Sequence, residues 1–162
     1  MTFNPVAALN VIECRKIISN NDPKAVDLGS QTSSINNIFV KNLVDNNKEI
    51  NNIQKKNLDN LSIAESFTTE DYFKSVGFKE YKSIDINGAY NSLQFDLNKN
   101  ILETYSYNEK YDLVINNGTG EHVFNQYALF LNFHNLTKLN GIMLNILPFI
   151  DWINHGFYNF NP

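Results

Sequence analysis

The chain contains one cysteine, Cys14, so it can form no internal disulfide and no multi-cysteine metal site. It contains one arginine, Arg15; the remaining basic residues are lysines with no cluster beyond Lys55-Lys56, and the net charge is −4. Binding a phosphate backbone needs a concentrated positive face, so nucleic acid is not an expected partner. No apolar run approaches the roughly 20 residues of a membrane span, and the N-terminus lacks the basic-then-apolar order of a secretion signal. These absences lead to the expectation of a cytoplasmic protein with no membrane partner. In that setting the glycosylation-like triplets at Asn117 and Asn135 have no meaning.

Asn is abundant, with Lys, Ile, Phe and Tyr common beside it. An AT-rich genome imposes this bias whatever the activity, so most of the asparagines carry no chemical message. A chain of 162 residues suits one domain over 1–162, and about two thirds of its unfolded surface can be buried.

The segment from Lys110 to Gln126, KYDLVINNGTGEHVFNQ, is the most informative part of the chain. Its apolar run breaks into Asn-Asn-Gly-Thr-Gly and then into acid, imidazole and amide side chains, as when a buried strand delivers a polar site. The segment AVDLGSQTSS, from Ala25 to Ser34, repeats the pattern with a strand that ends in Asp-x-Gly. Two such ends predict a ligand cleft.

Pro5 suits the first turn of a helix, and apolar residues then recur at helical spacing until Asn20-Asn21-Asp22-Pro23, which makes 1–22 a leading helix. A strand is predicted over Ala25–Leu28 and a helix over Ser33–Asn46. The polar stretch 47–66 has weak periodicity and reads as an insertion. Thr68-Thr-Glu-Asp71 has the form of a capping box, with Gly77 placed to end the helix. Strands are predicted over Tyr81–Ile86, Leu93–Leu97, Tyr111–Asn116 and Gly141–Phe149, and a helix over Val123–Leu136. Alternation of strands with helices predicts an α/β fold with a doubly wound, mostly parallel sheet of about five strands, its ligand crevice at their carboxyl ends.

The pieces AVDLGS, SIDING, FDLN, YDLVINNGTGEHVFNQ and LPFIDWINHGFYNFNP, in this order, resemble the class I S-adenosylmethionine-dependent methyltransferases, and among them a group of bacterial methyltransferase-like proteins. They span most of the chain from Lys24 onward. The resemblance implies a Rossmann-like fold and S-adenosyl-L-methionine as cofactor. It implies that Asp27, Gly29 and Ser30 meet the methionine part, with Asp27 near the ammonium group. Asp85 would hold the ribose hydroxyls, and Asp96 with Leu97 the adenine. Asn116, Asn117 and Gly118 would close the pocket beneath the sulfonium.

Gln31 and Ser33 stand where the family's loop has glycines. Asp85 follows Asp27 by 58 positions, against a usual spacing of about 20, which is why an insertion is expected between them. Asp96 follows Asp85 by only 11, leaving room for no more than a single helical turn. The resemblance also implies a final antiparallel strand pair beyond Pro162. Either a missing C-terminal segment or a partner, a second copy included, is therefore expected to cover that edge of the sheet.

Methyl transfer is an in-line displacement governed by alignment, and a base is needed when the acceptor is a hydroxyl or a protonated amine. His122 and His155 follow the strands that shape the acceptor region, so either is a candidate catalytic base, with Glu121 orienting a partner or the substrate. His134 reads as a core histidine on the Val123, Tyr127, Phe130 face. Glu121, His122 and His155 could together bind a metal, but no HxxxH or cysteine spacing supports this and no metal is expected. Trp152, Phe157, Tyr158 and Phe160 read as packing or as a platform for a flat or sugar-like acceptor. The leading expectation is a methyltransferase acting on a small molecule or saccharide. A non-catalytic nucleotide-binding module of the same fold is the first alternative, and a nicotinamide (NAD-dependent) oxidoreductase the second, although Gly-x-Gly-x-x-Gly is absent after the first strand.

Overall fold

Continuous burial is what separates a central parallel strand from one with a wet face. In a computed structural model of the chain, which describes residues 2–46, 52–149 and 154–160, two strands meet that condition. β1 (Lys24–Leu28) is buried from Ala25 onward, and β3 (Tyr111–Asn117) is buried at every position. β2 (Glu80–Ile84) flanks β1, and β4 (Thr137–Ile146) flanks β3, giving an all-parallel sheet of order β2-β1-β3-β4. The chain leaves β1 to one side and returns to the other, so the direction of winding reverses between β1 and β3.

Helices cover both faces. α1 (Pro5–Ile17), α2 (Asn37–Asn46), α3 (Asn52–Ser62) and α4 (Thr69–Ser75) share a core with Ala25, Leu113 and Ile115. α5 (Ile101–Tyr105) and α6 (Gln126–Leu136) share the opposite core with Val26, Leu28, Ile84 and Val114. Alternate residues of one strand thus feed opposite layers, as the pleat requires. In the first core, Phe73 meets Phe3, Phe78 and Tyr81 at ring-centroid separations of 5.5, 5.5 and 4.5 Å.

Local signals fix several helix starts. Asn4 Oδ1 accepts the Ala7 amide at 3.0 Å, with Pro5 opening α1. Thr68 and Asp71 form the reciprocal capping box expected of them, and Gly77 (φ +98°) stands just beyond α4. At the amino end of the sheet, Asp112 accepts the Lys24 amide at 2.8 Å, the Lys138 ammonium at 2.8 Å and the Asn20 amide at 3.0 Å, tying three segments together.

Four strands are present among the described residues, not about five. The segment expected as a strand at Leu93–Leu97 contributes a single bridge, Ile84 to Leu93, beside β2. A 3-10 turn at Ala89–Asn91 takes up the short span before it. α2 starts at Asn37 rather than Ser33, because Ser33 bridges to Phe3 and the Asn36 side chain accepts the Phe39 amide at 2.9 Å. α6 starts at Gln126 rather than Val123, capped by Asn125 on the Ala128 amide. β4 starts at Thr137 rather than Gly141, and a bulge brings Thr137 opposite Tyr111 while Ile142 lies opposite Leu113. The described part of the 47–66 stretch carries α3; 47–51 lie outside the described residues. His134 is exposed on α6 and is no core residue. No helix among the described residues is long and apolar enough to cross a membrane.

Candidate functional site

Parallel strands present their carboxyl ends at one edge, and a reversal of winding leaves adjacent loops diverging there, so a crevice forms. Here a cleft of about 340 Å³ opens at that edge, within the size range of small-molecule sites. Its walls include Ser30 after β1, Asp85 after β2, the Phe95–Asn98 loop, and Gly118, Thr119 and His122 after β3.

Asp85 is half-buried, and its Oδ2 accepts both the Ser30 amide at 3.1 Å and the Ser30 hydroxyl at 3.0 Å. Its Oδ1 accepts the Asn87 amide at 3.1 Å. This carboxylate links the loops after β1 and β2 and still faces the cleft. Asp96 Oδ1 accepts the amide and side chain of Asn98, and these bonds hold its carboxyl below the usual range. Leu97 is buried and also lines the cleft.

The Asp96 loop owes its position to residues with no signal of their own in the sequence. Asn132, buried on α6, accepts the Ile101 amide at 2.9 Å and donates to the Lys99 carbonyl at 2.7 Å. Asn98 accepts the Asn125 amide at 2.9 Å, and Asp96 donates its amide to the Tyr105 hydroxyl at 2.9 Å. Tyr105 in turn stacks on Phe95, which lines the cleft. The abundance of Asn hides such anchors.

Beneath the cleft the loops after β1 and β3 interlock. Gly29 has φ +136°, and a Cβ there would lie 2.1 Å from Thr119 Oγ1, so the Thr119 hydroxyl occupies the space that the missing side chain leaves. Gln31 is buried; its amide donates to the Asn117 carbonyl, and Asn117 Nδ2 returns a bond to Gln31 Oε1 at 2.7 Å. Asn116 Oδ1 accepts the Gly120 amide at 2.9 Å, which closes the turn that starts at Gly118 (φ +67°). Asn116 and Asn117 are thus internal braces, and neither lines the cleft.

Asp27 is fully buried on the central strand, and neither of its carboxylate oxygens has a hydrogen-bond partner among the described residues. Burial alone pushes its pKa well above the ordinary value. A carboxylate in this position is set for a cation or for a proton.

The turn Gly120–His122 sends Glu121 inward and His122 toward the cleft. The Glu121 carbonyl accepts the amides of Phe157 at 2.7 Å and Tyr158 at 3.3 Å, so the 154–160 segment docks on this turn. Docking brings His155 Nε2 to 3.6 Å from Glu121 Oε1, with His122 Nε2 at 3.8 Å. Glu121, His122 and His155, weighed from the sequence as a conceivable metal set, are therefore neighbours although His155 stands 33 positions after His122. Phe157 and Phe160 pack edge-on against Phe124 and Phe130. Trp152 lies outside the described residues.

The cleft therefore brings together Ser30, Asp85, Asp96, Leu97, Gly118 and His122, adding Phe95 and Thr119 to the residues expected from the sequence. Asp27, Gly29, Asn116, Asn117, Glu121 and His155 are not among the residues that line it. Comparisons of the chain with protein-family models, with curated proteins and with solved structures find no match.

Proposed function

We infer that the chain is an S-adenosylmethionine-dependent methyltransferase of the class I type, acting on a small molecule or saccharide. The observation that carries this reading is the position of Asp85. It is an acid at the carboxyl end of the strand beside β1, and it faces a cleft at the reversal of a parallel sheet. A carboxylate in that place suits a ribose diol, since its two oxygens can accept from two hydroxyls.

Two features favour the cofactor and one opposes it. Asp27, buried without a hydrogen-bond partner among the described residues, is a carboxylate suited to an ammonium group although it does not line the cleft, and Asp96 and Leu97 form a wall of the cleft suited to an adenine edge. Against these, the Gln31 side chain is bonded to Asn117 where a glycine loop would leave open space. Ser30, Asp85, Asp96 and Leu97 are the residues that would hold the nucleoside end. When bound, the cofactor supplies an electrophilic methyl group. The chain supplies alignment, a floor that excludes water, and an imidazole, His122, able to take the proton of an acceptor hydroxyl in the cleft.

The Gln31–Asn117 pair, together with Thr119 seated against Gly29, favours a second reading: a non-catalytic module that keeps the nucleotide cleft for binding. No observation favours a nicotinamide enzyme. Calorimetric titration of the protein with S-adenosylmethionine, S-adenosylhomocysteine and NAD separates these readings. Micromolar binding of the first two with methyl transfer to an acceptor supports the enzyme, and binding without transfer to any acceptor in a broad panel supports the module. Binding of NAD alone refutes the methyltransferase reading and supports the nicotinamide oxidoreductase.

A further inference from the structure

We propose that Glu121, His122 and His155 form a binding site for one divalent first-row transition ion, with Zn²⁺ the leading candidate. One ligand atom from each of the three residues lies within 4.8 Å of the other two. Two ligands about 2.1 Å from a tetrahedral ion are about 3.4 Å apart. The Glu121–His155 and Glu121–His122 separations of 3.6 and 3.8 Å therefore need to contract by a few tenths of an ångström, and the imidazole nitrogens, within 4.8 Å of each other, by up to about 1.4 Å.

The second observation is Glu121 itself. Its side chain has no solvent exposure, and both carboxylate oxygens lack a hydrogen-bond partner among the described residues. An acid enclosed without donors is costly, and a cation held between it and two imidazoles removes that cost. The imidazoles stand too far from it to serve as hydrogen-bond donors, with their ring centroids 4.9 Å apart and their planes at 63°. Crossed rings of this kind can direct a nitrogen from each toward one point.

The fold supplies the site by docking. The turn after β3 carries Glu121 and His122, and the Glu121 carbonyl captures the 154–160 segment through Phe157 and Tyr158. Gly156 is required at this junction, because a Cβ there would lie 2.6 Å from the Glu121 carbonyl oxygen. One carboxylate and two imidazoles match the donor preference of zinc, and three protein ligands leave a coordination position open. His122 also lines the cleft, so the cluster borders the cleft. If the methyltransferase reading holds, on which this clause alone rests, the acceptor would be a hydroxyl bound at that position, its proton passing to solvent as the ion lowers its pKa and its oxygen taking the methyl group as S-adenosylhomocysteine leaves, with His122 then a ligand in place of a base.

The test is titration of the chelator-stripped 162-residue chain with Zn²⁺, and with Co²⁺ as a spectroscopic probe. The expected result is one ion per chain, with Co²⁺ giving the visible absorption of a four-coordinate site. Glu121→Gln, His122→Gln and His155→Gln should each weaken binding by more than the ~10–100-fold that loss of an outer-shell partner costs. His134→Gln, remote on α6, should leave it unchanged. A rise in melting temperature of the wild-type protein with added Zn²⁺, abolished by His122→Gln, gives a readout that does not depend on the buried Glu121 variant folding. Absence of stoichiometric binding, or binding insensitive to the three substitutions, overturns the proposal. A parallel titration with S-adenosylhomocysteine reports on the cofactor reading independently.

Discussion

Asp27→Asn should make the protein more stable and a poorer binder of S-adenosylmethionine. Asp27 is fully buried on β1 without a partner among the described residues, and burial raises its carboxyl pKa well above the ordinary value. In the unfolded chain the same group titrates near 3.9. Below that value both states carry the proton and folding incurs no ionisation penalty. As pH rises above it the unfolded chain ionises while the folded one resists, so the wild-type protein loses stability relative to a variant that cannot ionise. Asn preserves shape and removes the titration. An unsatisfied buried polar group costs about 1–3 kcal/mol, and an ionisable one costs more, so a gain of ~2 kcal/mol at pH 7 is the expected scale. For a domain of this size that corresponds to a rise of ~4–8 °C in melting temperature. Scanning calorimetry of both proteins between pH 3.5 and 8 should show the difference growing with pH and vanishing near pH 4. The same variant should bind S-adenosylmethionine at least ten-fold more weakly, the stability–function exchange expected of a group kept for a ligand. Equal or lower stability of Asp27→Asn at pH 7, or a gain independent of pH, would show that the carboxylate is satisfied in the native protein and refute the reasoning.

Three further outcomes follow from the same structure. Gln31→Gly removes the amide pair with Asn117 and should tighten S-adenosylhomocysteine binding while lowering stability by ~1–2 kcal/mol; unchanged affinity in calorimetry would show that Gln31 does not obstruct the loop. Gly29→Ala should cost about 2 kcal/mol or more, from positive φ and overlap with Thr119, and Thr119→Ala should recover part of it; a full-strength Gly29→Ala melting curve contradicts the packing. Burial favours the neutral Asp112 carboxyl, but Lys138, the Lys24 amide and Asn20 outweigh it and hold its pKa below the ordinary value. Its contribution is therefore present above about pH 4 and lost as pH falls through the depressed value. Asp112→Asn should cost ~1–2 kcal/mol at pH 7 and progressively less as pH falls below about 4, measured by urea denaturation.

The parts of the fold legible in the sequence were those where one local rule dominates. Leu113-Val114-Ile115 reads as a doubly covered strand because its run is short, partly β-branched and ends in Asn-Asn-Gly, and β3 is buried throughout. Thr68 and Asp71 announce α4 because both halves of the cap lie within four residues. Leu93–Leu97 misleads because its composition suits a strand, yet the short span after Asp85 leaves it one bridge at the edge of the sheet. The start of β4 is hidden by the bulge, whose Asn140 and Gly141 look like a turn.

For the site, Asp85 and Asp96 were singled out by the family resemblance, and both line the cleft. Asn132, which fixes the Asp96 loop across more than 30 residues, had no distinguishing mark in a chain rich in Asn. The Gln31–Asn117 pair and the Glu121–His155 approach are equally long-range. They depend on which loops the sheet places side by side, and local spacing carries no information about that.

We propose that the cleft between the ends of β1, β2 and β3 holds an adenosyl nucleoside through Asp85. Isothermal titration of S-adenosylhomocysteine into wild-type protein and into Asp85→Ala, with NAD as the control ligand, tests it most directly. The expected result is one site of micromolar affinity in the wild type, a loss of at least 100-fold in Asp85→Ala with the fold retained by circular dichroism, and no heat from NAD. Wild-type protein that binds no S-adenosylhomocysteine, or binds it equally well without the Asp85 carboxylate, would contradict it.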